Sequence, residues 1–230
     1  MSAESGAVLQ LTAALHALAP MPGVFNPWRD YDPVFDRASD APAVRTAHLS
    51  RYLEARQARA KLVLVGEAPG YQGCRFSGIA MTSERMLRNL VPGVPPDGLF
   101  SGPKQPTSHP KQFPLLATEP TATIVWRCLL GRGLSPADFL FWNAFPLHPH
   151  KLGQPLTNRQ PTAVELGVTS HILPAMLSLV PGATVVAVGK VAQRVLAGHG
   201  LRVPAVRHPA NGGATLFRQQ MQDIVESRSS

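Results

Sequence analysis

The run Leu62-Val63-Leu64-Val65, ended by Gly66-Glu67-Ala68-Pro69-Gly70, constrains this chain most. Four apolar residues in succession leave a strand no polar face, so both of its faces must be covered. That is the setting of a parallel strand between layers of helices. Similar runs follow at Phe139–Trp142, Thr184–Val188 and Ala205–Arg207, with helical patterns between them and no tight hairpins. The alternation predicts a three-layer α/β/α fold with a four-stranded parallel sheet. In such sheets ligands bind outside the carboxyl ends of the strands. The turn carrying Glu67, the strand end at Asn143, and Val206-Arg207-His208-Pro209-Ala210 should therefore border one crevice.

Helices are expected over residues 7–19, with Val8, Leu11, Leu15 and Leu18 on one face, and over 43–60. Arg45, Arg51, Arg56 and Arg59 of the second helix read as a solvated face. Further helices are predicted at Thr82–Leu90, Glu119–Leu130, Thr162–Leu179 (interrupted by Pro174), Val191–Leu196 and Ala214–Glu226. Pro120 suits the first turn of its helix and Gly131 the end. Residues 20–42, rich in proline and aromatics, read as an irregular wrap around the core. The long connector 91–117 carries Lys104, His109 and Lys111 and reads either as a loose insertion or as a DNA-facing loop.

The 230 residues, 44% of them hydrophobic, suffice for a sizeable core in one domain, with the motifs confined to about 60–225. Lysine and arginine number 22 against 14 aspartate and glutamate, a balance of +8 that suits a polyanionic partner. Two cysteines, Cys74 and Cys128, exclude a disulfide framework and a four-cysteine cluster within one chain; both read as buried thiols. No apolar stretch approaches the roughly 20 residues of a membrane span. The amino terminus lacks a basic region before its helix, so no secretory signal is expected and a cytoplasmic location is.

Taken in order, Gly66-Glu67-Ala68-Pro69-Gly70, Phe76 within Cys74-Arg75-Phe76-Ser77-Gly78, Asn143 at a strand end, and His208-Pro209-Ala210 resemble the uracil-DNA glycosylase superfamily. The resemblance implies a monomeric, monofunctional glycosylase that flips uracil, or another deaminated base, out of DNA. It implies no cofactor and no metal, the cysteine count excluding the iron–sulfur cluster of some relatives. Glu67 and His208 are then the catalytic pair, with Asn143, Phe76, Gly66, Ala68, Gly70 and Tyr71 around the base. Arg75, Lys190, Arg207, Asn211, Gly212 and Arg218 are the expected DNA contacts.

The chemistry asks for a positioned water, stabilisation of negative charge on the departing base, and a pocket for an extruded nucleotide. Glu67 can position water and offset positive charge on the sugar, or else cap a helix or pair with an arginine. His208 can donate to the base carbonyl that becomes anionic, or else serve as a structural histidine. Asn143 offers one acceptor and two donors, enough to read the N3–H and O4 edge of uracil, or else it satisfies a turn. Phe76 either stacks on the base or packs in the core. The Gly-rich turn after His208 presents backbone N–H groups at a helix start, a seat for phosphate.

Two departures from the family pattern stand out. Some branches carry an aspartate where this chain has Ala68, and the most uracil-selective branch carries a tyrosine where it has Gly70; Tyr71 is the expected substitute. The tract Pro146–Lys151, with Arg159 further on, resembles the polar segment after the family's Asn; His148, His150 and Lys151 read either as a metal cluster or, in preference, as a solvated DNA-facing edge. Two other functions remain open: a DNA-binding module with little catalysis, and a nucleotide- or phosphoester-processing Rossmann-like enzyme. Neither Gly-x-Gly-x-x-Gly nor a Walker-type loop occurs at a strand–helix junction to favour the latter.

Overall fold

A computed structural model describes residues 3–228. In chain order its elements are α1 (Ala3–Ala17), β1 (Val24–Phe25), α2 (Ala41–Glu54), β2 (Leu62–Gly66), α3 (Cys74–Ser77), α4 (Glu84–Leu87), α5 (Pro120–Leu130), β3 (Phe139–Asn143) and β4 (His148–Pro149). They continue with α6 (Ala163–Val168), α7 (Ile172–Leu177), β5 (Thr184–Val188), α8 (Lys190–Gly198), β6 (Ala205–Val206) and α9 (Ala214–Glu226). Four strands form a parallel sheet in the order β3-β2-β5-β6. Every residue of β2 and β3 is buried, as strands covered on both faces require.

The chain leaves β2 toward β3 on one side, then returns across β2 to β5 and continues outward to β6. Connections from the carboxyl ends of β2 and β5 therefore diverge, and the gap between those ends is the switch point of the sheet. The register sets Gly66 beside Asn143, and two backbone bonds prolong the pairing beyond the strands: Ala144 N–H to Gly66 O (2.8 Å) and Phe145 N–H to Glu67 O (2.9 Å). The turns that carry Glu67 and Asn143 are thus fixed to each other.

The helix expected over Thr82–Leu90 is confined to Glu84–Leu87, with Leu90 exposed, and three further expectations need correction. Arg45 and Arg56 are fully buried, not solvated. Arg45 pairs with Asp36 (2.8 Å) and donates to the carbonyls of Pro27 and Asp30. Arg56 stacks on Tyr52 (3.8 Å to the ring centroid) and donates to the carbonyls of Phe139, Leu99, Gly98 and Pro136. A buried cation surrounded by charge-assisted bonds survives in the core, and here it ties chain segments together.

The 91–117 connector is neither loose nor purely outward-facing. Arg56 holds one part, and the buried Glu84 accepts from the backbone N–H groups of Thr107, Ser108 (2.9 Å) and Ala117 (3.4 Å) and from the Ser108 hydroxyl. The helix expected over Thr162–Leu179 is two helices. They part at Thr169–His171, and Pro174 falls in the first turn of α7, where its missing N–H costs nothing. The wrap at 20–42 contributes a short ribbon, β1 pairing antiparallel with β4, that brings the segment after β4 to the rim of the crevice. Among the described residues no helix is long and apolar enough to cross a membrane.

Candidate active site

Glu67, Asn143 and His208 meet where the divergent connections leave space. All three line a small inner recess of about 40 Å³, beneath a wider groove of about 530 Å³ that Glu67 and His208 also border. Gly66 makes the floor possible. A Cβ there would fall 2.6 Å from Met81 Cε and 3.0 Å from Asn143 Oδ1, so any larger residue would displace both.

His208 is held from both sides. Its Nδ1 accepts from the Ala210 N–H (3.2 Å), which places the ring proton on Nε2. Gly189, at φ +89°, lies beneath the ring, and a Cβ there would be 3.4 Å from His208 Cβ. A Cβ at Gly213 would be 2.1 Å from the His208 carbonyl, so the Gly-rich turn is a steric necessity. Burial lowers the histidine's pKa, and the charge of Arg207 lowers it further. The ring is therefore a neutral N–H donor at physiological pH.

Glu67 is half-buried, and burial raises its pKa while the charge of Arg194 pulls the other way. It holds no ion pair or hydrogen bond among the described residues, so neither structural alternative considered for it applies. Asn143 is 5% exposed at the carboxyl end of β3. Ala68 and Gly70 line the recess as well.

Four expected contacts are misplaced. Phe76 is fully buried, edge-to-face with Phe113 (4.8 Å) and under the Arg75 guanidinium (4.6 Å), and it lines neither recess nor groove. The short helix α3 ends at Gly78 (φ +77°), and this tight turn packs the phenylalanine inward. Arg75 is fully buried as well, bonded to Asp32 (2.8 Å) with Asp36 at 3.9 Å, and so is closed to phosphate. Tyr71 does not reach the recess; its backbone N–H donates to Asn158 Oδ1 (3.0 Å). Arg218 lies along α9 outside the groove, its carbonyl bonded to Arg132 (2.6 Å) and its charge near Cys128.

The rim keeps Lys190, Arg207 and Asn211, all exposed. Asn211 (φ +51°) and Gly212 (φ +75°) form the left-handed turn that leads into α9. The tract after Asn143 is only partly an exposed edge. His148 is buried, its pKa pushed down to about 3 by burial, and its Nε2 donates to Thr157 O (3.0 Å). Arg159 is tied to Glu165 (2.6 Å) and to the carbonyls of Gly23 and His150.

The lining also includes residues that the sequence did not single out, among them Met81, Asn158 and Glu119. Met81 adopts φ +48°, its carbonyl accepting from Trp126 Nε1 (3.0 Å), and it lines the recess with its methyl against Gly66. A left-handed methionine leaves no signal in a sequence. Glu119 precedes Pro120 at the start of α5 and reads there as an ordinary helix-start acid, yet its side chain makes no capping bond. Both Cys74 and Cys128 are buried free thiols, as expected, and Cys74 borders the recess.

The arrangement defines a class: a parallel α/β protein with a polar recess and a wider groove at the switch point of its sheet. The chain belongs to the uracil DNA glycosylase superfamily, whose model matches residues 54–227. Its fold is similar to that of wild-type SMUG2 from Pedobacter heparinus, with a TM-score of 0.63 and 15% identity, covering 100% of this chain and 99% of that one. Nothing among curated proteins matches the sequence.

Proposed function

We propose that this protein hydrolyses the N-glycosidic bond of uracil, or of another deaminated base, in DNA, acting as a monofunctional glycosylase on an extruded nucleotide. The observation that carries the reading is the convergence of Glu67, Asn143 and a neutral His208 on one recess beneath a rim bearing Lys190 and Arg207. The base enters the groove with its polar edge toward the recess, at a cost of a few kcal/mol of unstacking. The Asn143 amide accepts from N3–H and donates to O4, a pattern that cytosine reverses. His208 Nε2–H donates to the base carbonyl as the glycosidic bond breaks, a fixed donor placed where negative charge develops. Glu67 faces the sugar and offsets its developing positive charge.

Lys190, Arg207 and the Asn211–Gly212 turn at the head of α9 hold the flanking phosphates. The test is single-turnover release of free base from a duplex oligonucleotide carrying one uracil, with undamaged duplex as control. Binding without release identifies a DNA-binding module instead, and absence of both removes DNA as the ligand.

A further inference from the structure

The sequence gives Glu119 no distinction, but its surroundings do. Residue 119 is the N-cap of α5, where a side-chain oxygen ordinarily accepts from the helix's first N–H groups, and here it accepts from none. It enters no ion pair within 4 Å either, and Oε2 is buried without a hydrogen-bond partner. The carboxyl lies instead against the turn after β2. A Cβ built on Gly73 would fall 1.8 Å from Oε2, so the glycine there admits the carboxyl, and Gly70 lies within ordinary contact of Oε1 at 3.9 Å. From there it borders both the inner recess and the groove above, alongside Glu67 and His208. A carboxyl with one oxygen buried and without a partner, at the edge of a cleft, carries the cost of that burial and is suited to binding a water molecule.

We infer that Glu119 is the catalytic base of this site, holding the water that attacks the sugar and taking its proton, in place of the acid that Ala68 does not supply. The inference rests on the proposed glycosylase reaction. Water oxygen bonds to C1′ as the C1′–N bond breaks, and that bond's electrons leave with the base. The water's proton passes to the Glu119 carboxylate, while the anionic base is held by His208 and takes a proton from solvent after release. Burial pushes the Glu119 pKa up to about 7, close to the working pH, where a general base is most effective. Three titratable groups share the recess with it. Glu67 also has a raised pKa, His208 a lowered one, and the Cys74 thiol a strongly raised one. On the outer rim stand the cations Lys190 and Arg207.

The test compares wild type, Glu119→Gln and Glu67→Gln in single-turnover excision from pH 5.5 to 8.5, with DNA affinity and melting temperature measured alongside. In wild type the rate should climb about tenfold per pH unit below ~7 and then level. Glu119→Gln should lose that rising limb and about 10²–10⁴-fold in rate at pH 8 while binding DNA as wild type does. Glu67→Gln should be slower with the limb intact. Should Glu119→Gln melt early, Glu119→Asp takes its place, expected to be slower but still to show the rising limb. An active wild type paired with a Glu119→Gln variant that keeps the limb, or stays within threefold of wild-type rate, overturns the role of Glu119 alone. A wild type that releases no base overturns the glycosylase reading and this role together.

Discussion

Replacing Glu119 by glutamine should stabilise the protein in alkali relative to acid, and the size of the effect follows from its burial. The carboxyl's ordinary pKa of 4.5 rises to about 7 in the folded chain, because burial penalises the charged form. Between those values the folded state keeps a proton that the unfolded state has released. Stability therefore falls as pH rises from about 4.5 to about 7, and is unaffected by this group on either side of that window. At 1.36 kcal/mol per pH unit, the loss is at most about 3 kcal/mol. Water in the open groove reduces it to about 1–3 kcal/mol.

Glutamine has the same shape and does not ionise, so it escapes this loss. Its amide carries its own cost of leaving a buried polar group unpaired, about 1–3 kcal/mol, but that cost does not vary with pH. The measurement is urea unfolding of wild type and Glu119→Gln at pH 5 and pH 8. The variant's stability relative to wild type should be about 1–3 kcal/mol more favourable at pH 8 than at pH 5. Glu67, also raised, titrates in both proteins and cancels from the comparison. A difference that is the same at both pH values would show that the carboxyl finds a donor or a cation in solution, and the argument from its isolation would fail.

Other expectations follow from the same geometry. His208→Ala should slow excision by about 10²–10³ with little change in DNA affinity, and by more than Glu67→Ala does; single-turnover rates with separate binding curves decide the order. Exchanging Lys190 and Arg207 together for glutamine should flatten the slope of log affinity against log salt by about 2, while an unchanged slope would place the DNA elsewhere. Arg75→Gln should instead act on stability, costing about 3–5 kcal/mol by leaving Asp32 without its partner and Asp36 with Arg45 alone, as urea unfolding would show. Phe76→Ala should cost about 3–5 kcal/mol as a core truncation and leave the folded fraction's excision rate near wild type; a folded variant with impaired catalysis would return Phe76 to the base pocket.

What the sequence made legible was local. Strands announced themselves because a buried parallel strand is a short apolar run closed by a turn, and α9 lies where its amphipathic pattern placed it, over Ala214–Glu226. Glu67, Asn143 and His208 could be brought together because strand ends converge in a parallel sheet whatever the details of its loops. The errors share a different origin. Helical spacing tells which residues lie on one face but not what stands opposite. Arg45 and Arg56 look like solvated charge until the Asp36 carboxylate and the carbonyls of residues 98, 99, 136 and 139 are in place around them. Arg75 and Phe76 follow a recognisable motif, yet the short helix that carries them turns both into the interior.

The same long-range logic sets Glu119 apart. Nearly every buried acid in this fold serves as an anchor: Asp36 for Arg45, Glu84 for the connector that ends at Ala117, Glu165 for Arg159 and the start of α6. Each such pairing offsets the cost of burying a charge and fixes a segment of chain. Glu119 Oε2 is the only buried carboxylate oxygen among the described residues left without a donor, and it lies in the recess. A fold that satisfies its other buried acids with partners 3 to 33 residues away leaves this one against the turn after β2, where glycine at position 73 makes room for it. The cost of that isolation falls at the recess and the groove above it, and this placement is what supports the proposed role of the carboxylate in the chemistry of the site.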